Sequence, residues 1–324
     1  MLTRYIVLLA AFFIGVILMP LFKSLSLRYK ILCAQGVPLV GGIGLGLSFL
    51  TACLLGFFLL GGLSKEFIGI LISSLIMLIF GIIDDLKEFS VKAKFLVQFA
   101  AICLLILFGV KTQIVAIGNL LNLIITFVWV FAITNAVNHL DVMDGLAGII
   151  GLIISFAFLT ISGFNNDIKT AILSLSLAGA ILGFLKYNIP PAKIYMGNSG
   201  SHFIGFILAA IAIVISYAPL ERKIALFSPL VILGFPIFDT GLLILRRITQ
   251  KKSAFKKSDD HLALILLKAG WPKDKILASM FFLCLFFCAS GVALSQLSNL
   301  FGTIIIEFVA LISLVLVVKT EKLS

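Results

Sequence analysis

The acidic and amide residues of this chain stand where an apolar sequence tolerates them least. Asp84 and Asp85 lie side by side in Gly81-Ile82-Ile83-Asp84-Asp85-Leu86-Lys87-Glu88, at the end of a long apolar run. Adjacent carboxylates at a membrane interface repel each other and are costly to desolvate, and a cation or a proton resolves that tension. Lys94 opens the next apolar run, where its charge can meet a phosphate. The plainer reading of this loop is an acidic helix end facing water. A second group runs Asn135-Ala136-Val137-Asn138-His139-Leu140-Asp141-Val142-Met143-Asp144-Gly145. Asn135, Asn138, Asp141 and Asp144 recur at every third position, which would line them along one side of a helical segment. Such a stripe suits a hydrated site for a polar ligand or a cation, or polar glue between helices.

A third group spans 186–202. Pro190-Pro191 forces an extended path, and Gly197 and Gly200 let backbone approach a ligand closely. Ser199, Ser201 and the backbone N–H groups ahead of the next helix make a candidate anion seat, though Gly and Ser also build ordinary turns. The fourth group lies in 246–275, with Arg246, Arg247, Lys251, Lys252, Lys256 and Lys257. It reads equally as a phosphate grip or a headgroup patch, but Asp259, Asp260 and His261 interrupt the basic run. Asp239, about two turns before Arg246, is expected to form an internal pair with it. Gly41, Gly42, Gly44 and Gly46 form a small-residue face for close helix packing. Cys284 and Cys288 share a helix face without a histidine or acid nearby, which favours packing over metal binding.

The elements that must position these groups are membrane spans. The 324 residues are 61% hydrophobic and 12% charged, with a mean hydropathy of +1.23, against about 45–50% and 25% in soluble domains. This excludes a soluble enzyme, a disordered chain and a disulfide scaffold. The formal charge of +11 belongs to loops and headgroups rather than to nucleic acid, since no soluble domain carries a binding face. Apolar stretches predict an all-α polytopic membrane protein of about eleven transmembrane helices, including spans near 95–108, 203–217 and 224–245. The first stretch, near 5–21, reads as a retained helix rather than a signal peptide. Placing the N-terminus outside and the C-terminus in the cytoplasm puts most of the 25 Lys and Arg residues in inner loops. All three histidines and the four groups above then share the cytoplasmic face. The chain reads as one domain, 1–324, with loops near 84–94, 135–144, 186–202 and 246–275 forming the site.

In this order the four groups resemble the polyprenyl-phosphate N-acetylhexosamine-1-phosphate transferases, glycosyl transferase family 4. The matching segments are Asp84-Asp85-Leu86 with Lys94 and Gln98, Asn135 to Leu146, Pro191-Ala192-Lys193-Ile194-Tyr195-Met196-Gly197, and Pro236-Ile237-Phe238-Asp239 with Arg247. The layout looks like the bacterial branch using UDP-N-acetylglucosamine or a close relative. The resemblance implies that undecaprenyl phosphate attacks the β-phosphorus of a UDP-N-acetylhexosamine at the inner membrane, releasing UMP for cell-envelope polysaccharide synthesis. It implies catalytic roles for Asp84, Asp85 and Lys94, and Mg²⁺ (or Mn²⁺) held by Asn138 and Asn198. Asn135, Asp141, Asp144, Arg247 and His261 would contact substrate, and a homodimer is left open. Three departures from the family pattern stand out. Asn198 replaces a metal-binding aspartate, His261-Leu262-Ala263-Leu264 replaces a His-x-His-His run, and Val142 replaces a common glycine. Asn198 predicts low activity with a high Mg²⁺ requirement, relieved in Asn198→Asp, whereas loss of the histidine run would abolish turnover and leave Asn198→Asp without effect. The alternatives are a homologue that binds without turnover and, at greater distance, a secondary transporter, for which internal repeats are absent.

Overall fold

A computed structural model describes residues 2–217, 222–249 and 260–321, with side chains from Tyr5 onward. Among these the chain is a helical bundle, as a backbone without access to water requires. Its long helices are α1 (Leu2–Tyr29), α2 (Gly41–Leu59), α3 (Lys65–Leu86), α4 (Val91–Leu107), α5 (Gly118–His139), α6 (Leu146–Phe164), α7 (Ile168–Asn188) and α8 (Gly197–Val214). The short α9 (Ser228–Ile232) leads into α10 (Gly234–Thr249), and α11 (Leu262–Lys268) precedes α12 (Lys273–Gln296) and α13 (Asn299–Glu321). Nine described helices are long and apolar enough to span a bilayer, or ten with one bent pair counted as a span. The protein is an all-α, multi-pass membrane protein. The predicted fourth span corresponds to α4, whose 17 residues extend about 26 Å.

The predicted ninth span is broken. Lys223–Ile232 and Gly234–Thr249 meet at 66°. Pro236 has no N–H to offer the carbonyl of Ile232, four residues back, so the helix cannot run through. The released Ile232 oxygen instead accepts the Cys288 thiol of α12 at 3.5 Å. That thiol is the packing role expected of the cysteine pair.

α7 and α8 are buried along most of their length. α1, α2 and α6 pack on α7, while α2, α3, α5 and α6 pack on α8. The glycine face of α2 makes the closest approach: a Cβ on Gly42 would lie 2.2 Å from the Gly200 nitrogen. Gly81 of α3 is equally tight, with its would-be Cβ 2.3 Å from Ser199 Cα. Two helices are thereby seated against the first turn of α8. A hairpin, β1 (Cys33–Ala34) with β2 (Val37–Pro38), turns through Gln35 and Gly36, both at positive φ, as tight hairpins demand. It fastens the chain before α8, since Tyr195 N–H donates to Pro38 O at 2.8 Å and Gly41 N–H to Tyr195 O at 3.0 Å. Outer faces of α1, α5 and α13 expose Phe13, Ile17, Ile124, Val128, Ile304 and Phe308, an apolar surface fit for lipid.

Candidate active site

Asp84 and Asp85, at the last turn of α3, point to different partners. Asp84 is buried, and its Oδ2 accepts from Lys94 Nζ at 2.7 Å while Oδ1 accepts from Phe89 N–H at 2.8 Å. The two bonds fold the loop between α3 and α4 and place Lys94 in the first turn of α4. A lysine there opposes the helix dipole, and the Asp84 charge offsets that cost. Lys94 keeps two further N–H donors for a ligand.

Asp85 reaches across to α8. Its Oδ1 accepts Asn198 N–H at 2.7 Å and its Oδ2 accepts Ser199 N–H at 3.0 Å. The expected anion seat before α8 therefore exists, but a carboxylate of the protein fills it. The arrangement requires glycine at 197, where φ is +72° and a Cβ would lie 2.5 Å from Asp85 Oδ2. The tension between adjacent carboxylates is met by a lysine for one and a helix N-terminus for the other.

The polar stripe of the second group is split. α5 ends at His139, so Asn135 and Asn138 share a helix face while Asp141 and Asp144 lie in the turn that follows. One helical line through all four, as the spacing suggested, is not formed, because Gly145 adopts φ +80° and starts α6 in a new direction. Asn135 exchanges two hydrogen bonds with Gln98 of α4, at 2.7 and 3.3 Å, and so ties α4 to α5. Asn138 Nδ2 donates to Ser201 Oγ at 2.8 Å and to Asn198 Oδ1 at 3.2 Å. Asp144 Oδ2 accepts Ala192 N–H at 3.1 Å, while Asn188 Oδ1 accepts Gly145 N–H at 2.8 Å. Asp144 thus anchors the proline loop.

Among the described residues no three His, Cys, Asp or Glu side chains meet closely enough to enclose a metal ion. Mg²⁺ does not need such a cage, because it keeps waters and phosphate oxygens and takes one or two carboxylates. Asn138 and Asn198 already touch, and a half-turn of the Asn138 amide presents two hard amide oxygens side by side. Asp141 keeps a partly exposed edge, yet burial, then the charges of Asp85 and Asp144, push its carboxyl from 3.8 up to about 7. Carboxylates that disfavour one another's ionisation suit a divalent cation. The donor set fits Mg²⁺.

The fourth group closes the site from α10 and α11. Asp239 does not pair with Arg246 as expected. Its Oδ2 meets His261 Nδ1 at 2.8 Å and its Oδ1 accepts Leu262 N–H at 2.8 Å, so Asp239 holds the start of α11 against α10. Arg246 instead donates to the Thr320 carbonyl at the end of α13. Arg247, buried, lies 4.0 Å from Asp260. The His261 ring stands 6.0 Å from that of His139. Lys251, Lys252, Lys256, Lys257 and Asp259 lie outside the described residues. Two residues within the third group take positioning roles that the sequence did not assign: Asn188, which accepts Gly145 N–H, and His202, whose Nδ1 bonds Asn198 O at 2.9 Å. No spacing signal marks either.

The model of glycosyl transferase family 4 matches residues 67–216. The chain is 32% identical to a "Probable undecaprenyl-phosphate N-acetylglucosaminyl 1-phosphate transferase" of Bacillus subtilis (strain 168), covering 78% of this chain and 73% of that protein. It is 30% identical to the decaprenyl-phosphate N-acetylglucosaminephosphotransferase of Mycobacterium leprae (strain TN), over 74% of this chain and 68% of the other. It is 29% identical to the phospho-N-acetylmuramoyl-pentapeptide-transferase of Halalkalibacterium halodurans, over 89% and 96%. The matched region carries the Asp84–Lys94 pair, the Asp85 contact with α8 and the Asn138–Asn198 contact, and the chain belongs to glycosyl transferase family 4.

Proposed function

We propose that this protein transfers an N-acetylhexosamine 1-phosphate, with N-acetylglucosamine the favoured sugar, from a UDP-sugar to undecaprenyl phosphate at the cytoplasmic face of the cell membrane. An oxygen of the lipid phosphate attacks the β-phosphorus, the bond from that phosphorus to the bridging oxygen breaks, and UMP leaves. The observation that carries the reading is the convergence, at one end of a membrane bundle, of a held lysine, a hard-oxygen donor set and a carboxylate-held histidine. Bringing two anions together requires compensating positive charge. Lys94, oriented by Asp84, binds the lipid phosphate with its remaining N–H groups. Phe95 and Phe99, exposed on α4 beside it, give an isoprenoid chain an aromatic surface to lie on. Arg247 and His261 hold the nucleotide diphosphate from the other side. Asn138, Asn198 and Asp141 would hold Mg²⁺, which lowers the repulsion between the phosphates. Asp85, with both oxygens engaged by α8, acts by fixing Asn198 in place.

The test is turnover of radiolabelled UDP-N-acetylglucosamine by purified protein with undecaprenyl phosphate and Mg²⁺. Wild type should form a lipid diphosphosugar and UMP. Lys94→Ala and Asp84→Asn should each lower turnover by about 10²-fold, the scale for one preorganised electrostatic group. Near wild-type rates in both would reject the assignment, and no turnover in wild type would favour the homologue that binds without reacting.

A further inference from the structure

We infer that His139 contacts the substrate, forming with His261 a two-imidazole seat for a phosphate oxygen of the nucleotide-sugar donor. The inference rests on the donor reading above and adds a residue to it. His139 is the last residue of α5, directly after Asn138. Its ring lies 6.0 Å from that of His261 at an interplanar angle of 55°, a spacing that lets two imidazoles flank one small anionic group.

Each ring has one nitrogen already accounted for. Asp239 occupies Nδ1 of His261 at 2.8 Å, which fixes the ring and leaves Nε2 for a ligand. His139 Nδ1 is enclosed and has no hydrogen-bond partner. A proton there would be a buried donor without an acceptor, so the favoured tautomer carries it on Nε2. His139 therefore offers an Nε2–H donor.

His139 Nδ1, enclosed and without a hydrogen-bond partner among the described residues, is a standing cost that a leucine in its place would not carry, and the ring it belongs to stands beside that of His261. α5 packs against both α4, which carries Lys94, and α10, which carries Asp239 and Arg247. A donor phosphate held by the two histidines and a lipid phosphate held by Lys94 would thus both be served from α5 and the helices that pack on it.

The experiment measures calorimetric binding of UDP-N-acetylglucosamine, UMP and uridine to the purified full chain, with turnover in parallel, for wild type, His139→Leu, His139→Gln and His139→Asn. His139→Leu should weaken UDP-N-acetylglucosamine and UMP about tenfold and raise the donor KM alike. Uridine binding and the KM for lipid phosphate should not move. His139→Gln, whose amide nitrogen reaches the Nε2 position, should recover most of the loss; His139→Asn should not. Unchanged nucleotide binding in His139→Leu, or equal losses in the Leu and Gln variants, would overturn the inference while wild-type turnover keeps the transfer reading. His139-dependent binding without turnover would uphold the seat and reject transfer. Wild type that binds no nucleotide would reject both.

Discussion

Replacing Asp85 by asparagine should cost the protein fold stability, and not activity alone. The carboxylate accepts two backbone N–H groups of the first turn of α8, at 2.7 and 3.0 Å. An asparagine keeps one oxygen and turns an amine toward the other N–H, donor against donor. The loss comprises one bond to a charged acceptor, about 1.5–3 kcal/mol, and the favourable meeting of a charge with a helix N-terminus, about 0.3–2 kcal/mol. Together this is about 2–5 kcal/mol, less the desolvation cost that a neutral amide escapes; for a chain of this length the fall in melting temperature is on the order of 3–7 °C. The assay is thermal unfolding of detergent-purified protein at fixed scan rate, with the exposed Glu88→Gln as a control. Gly197→Ala, which drives a methyl group to 2.5 Å from Asp85 Oδ2, should destabilise comparably without altering a charge. If Asp85→Asn melts within about 1 °C of wild type while losing turnover, Asp85 acts on substrate directly and the capping argument is wrong.

Three further outcomes follow from the same geometry. Asn198→Asp adds a charge to a neutral oxygen pair, so Mg²⁺ affinity and turnover should both rise; a Mg²⁺ titration showing full wild-type activity at ordinary Mg²⁺, unchanged by the substitution, would refute the metal assignment. Asp141, with its folded-state pKa raised from 3.8 to about 7, loses stability as pH climbs through that window, because the unfolded carboxyl ionises first. In EDTA, Asp141→Asn should therefore melt higher than wild type at pH 8 and no differently below pH 4; equal melting at pH 8 would contradict the burial argument. In a Cys33→Ser background, a cysteine at Lys92 should be shielded from an impermeant reagent in intact cells and one at Lys65 labelled, and the reverse pattern would invert the proposed orientation.

Hydropathy and charge pattern alone were enough to identify a multi-pass helical membrane protein, because in lipid a long apolar run has few options but to be a helix. The same logic marked Asp84, Asp85, Lys94 and Asn138, since polar groups in an apolar sequence are too costly to be incidental, while Asn198 was singled out only by the family resemblance. What each polar group does was decided in three dimensions. The free N–H groups before α8 read as a seat for a ligand, and only folding showed that Asp85, 113 positions away in sequence, fills it. Periodicity drew Asn135 to Asp144 as one stripe, but α5 ends at His139, and Gly145, whose N–H is held by Asn188 of a distant helix, starts α6. Arg246 seemed the natural partner of Asp239 by proximity along the chain, but Asp239 bonds His261 and Leu262 at the start of α11 while Arg246 donates to Thr320 at the end of α13. Such choices depend on contacts between segments far apart in sequence, where distance and direction, rather than residue type, determine which acceptor meets which donor.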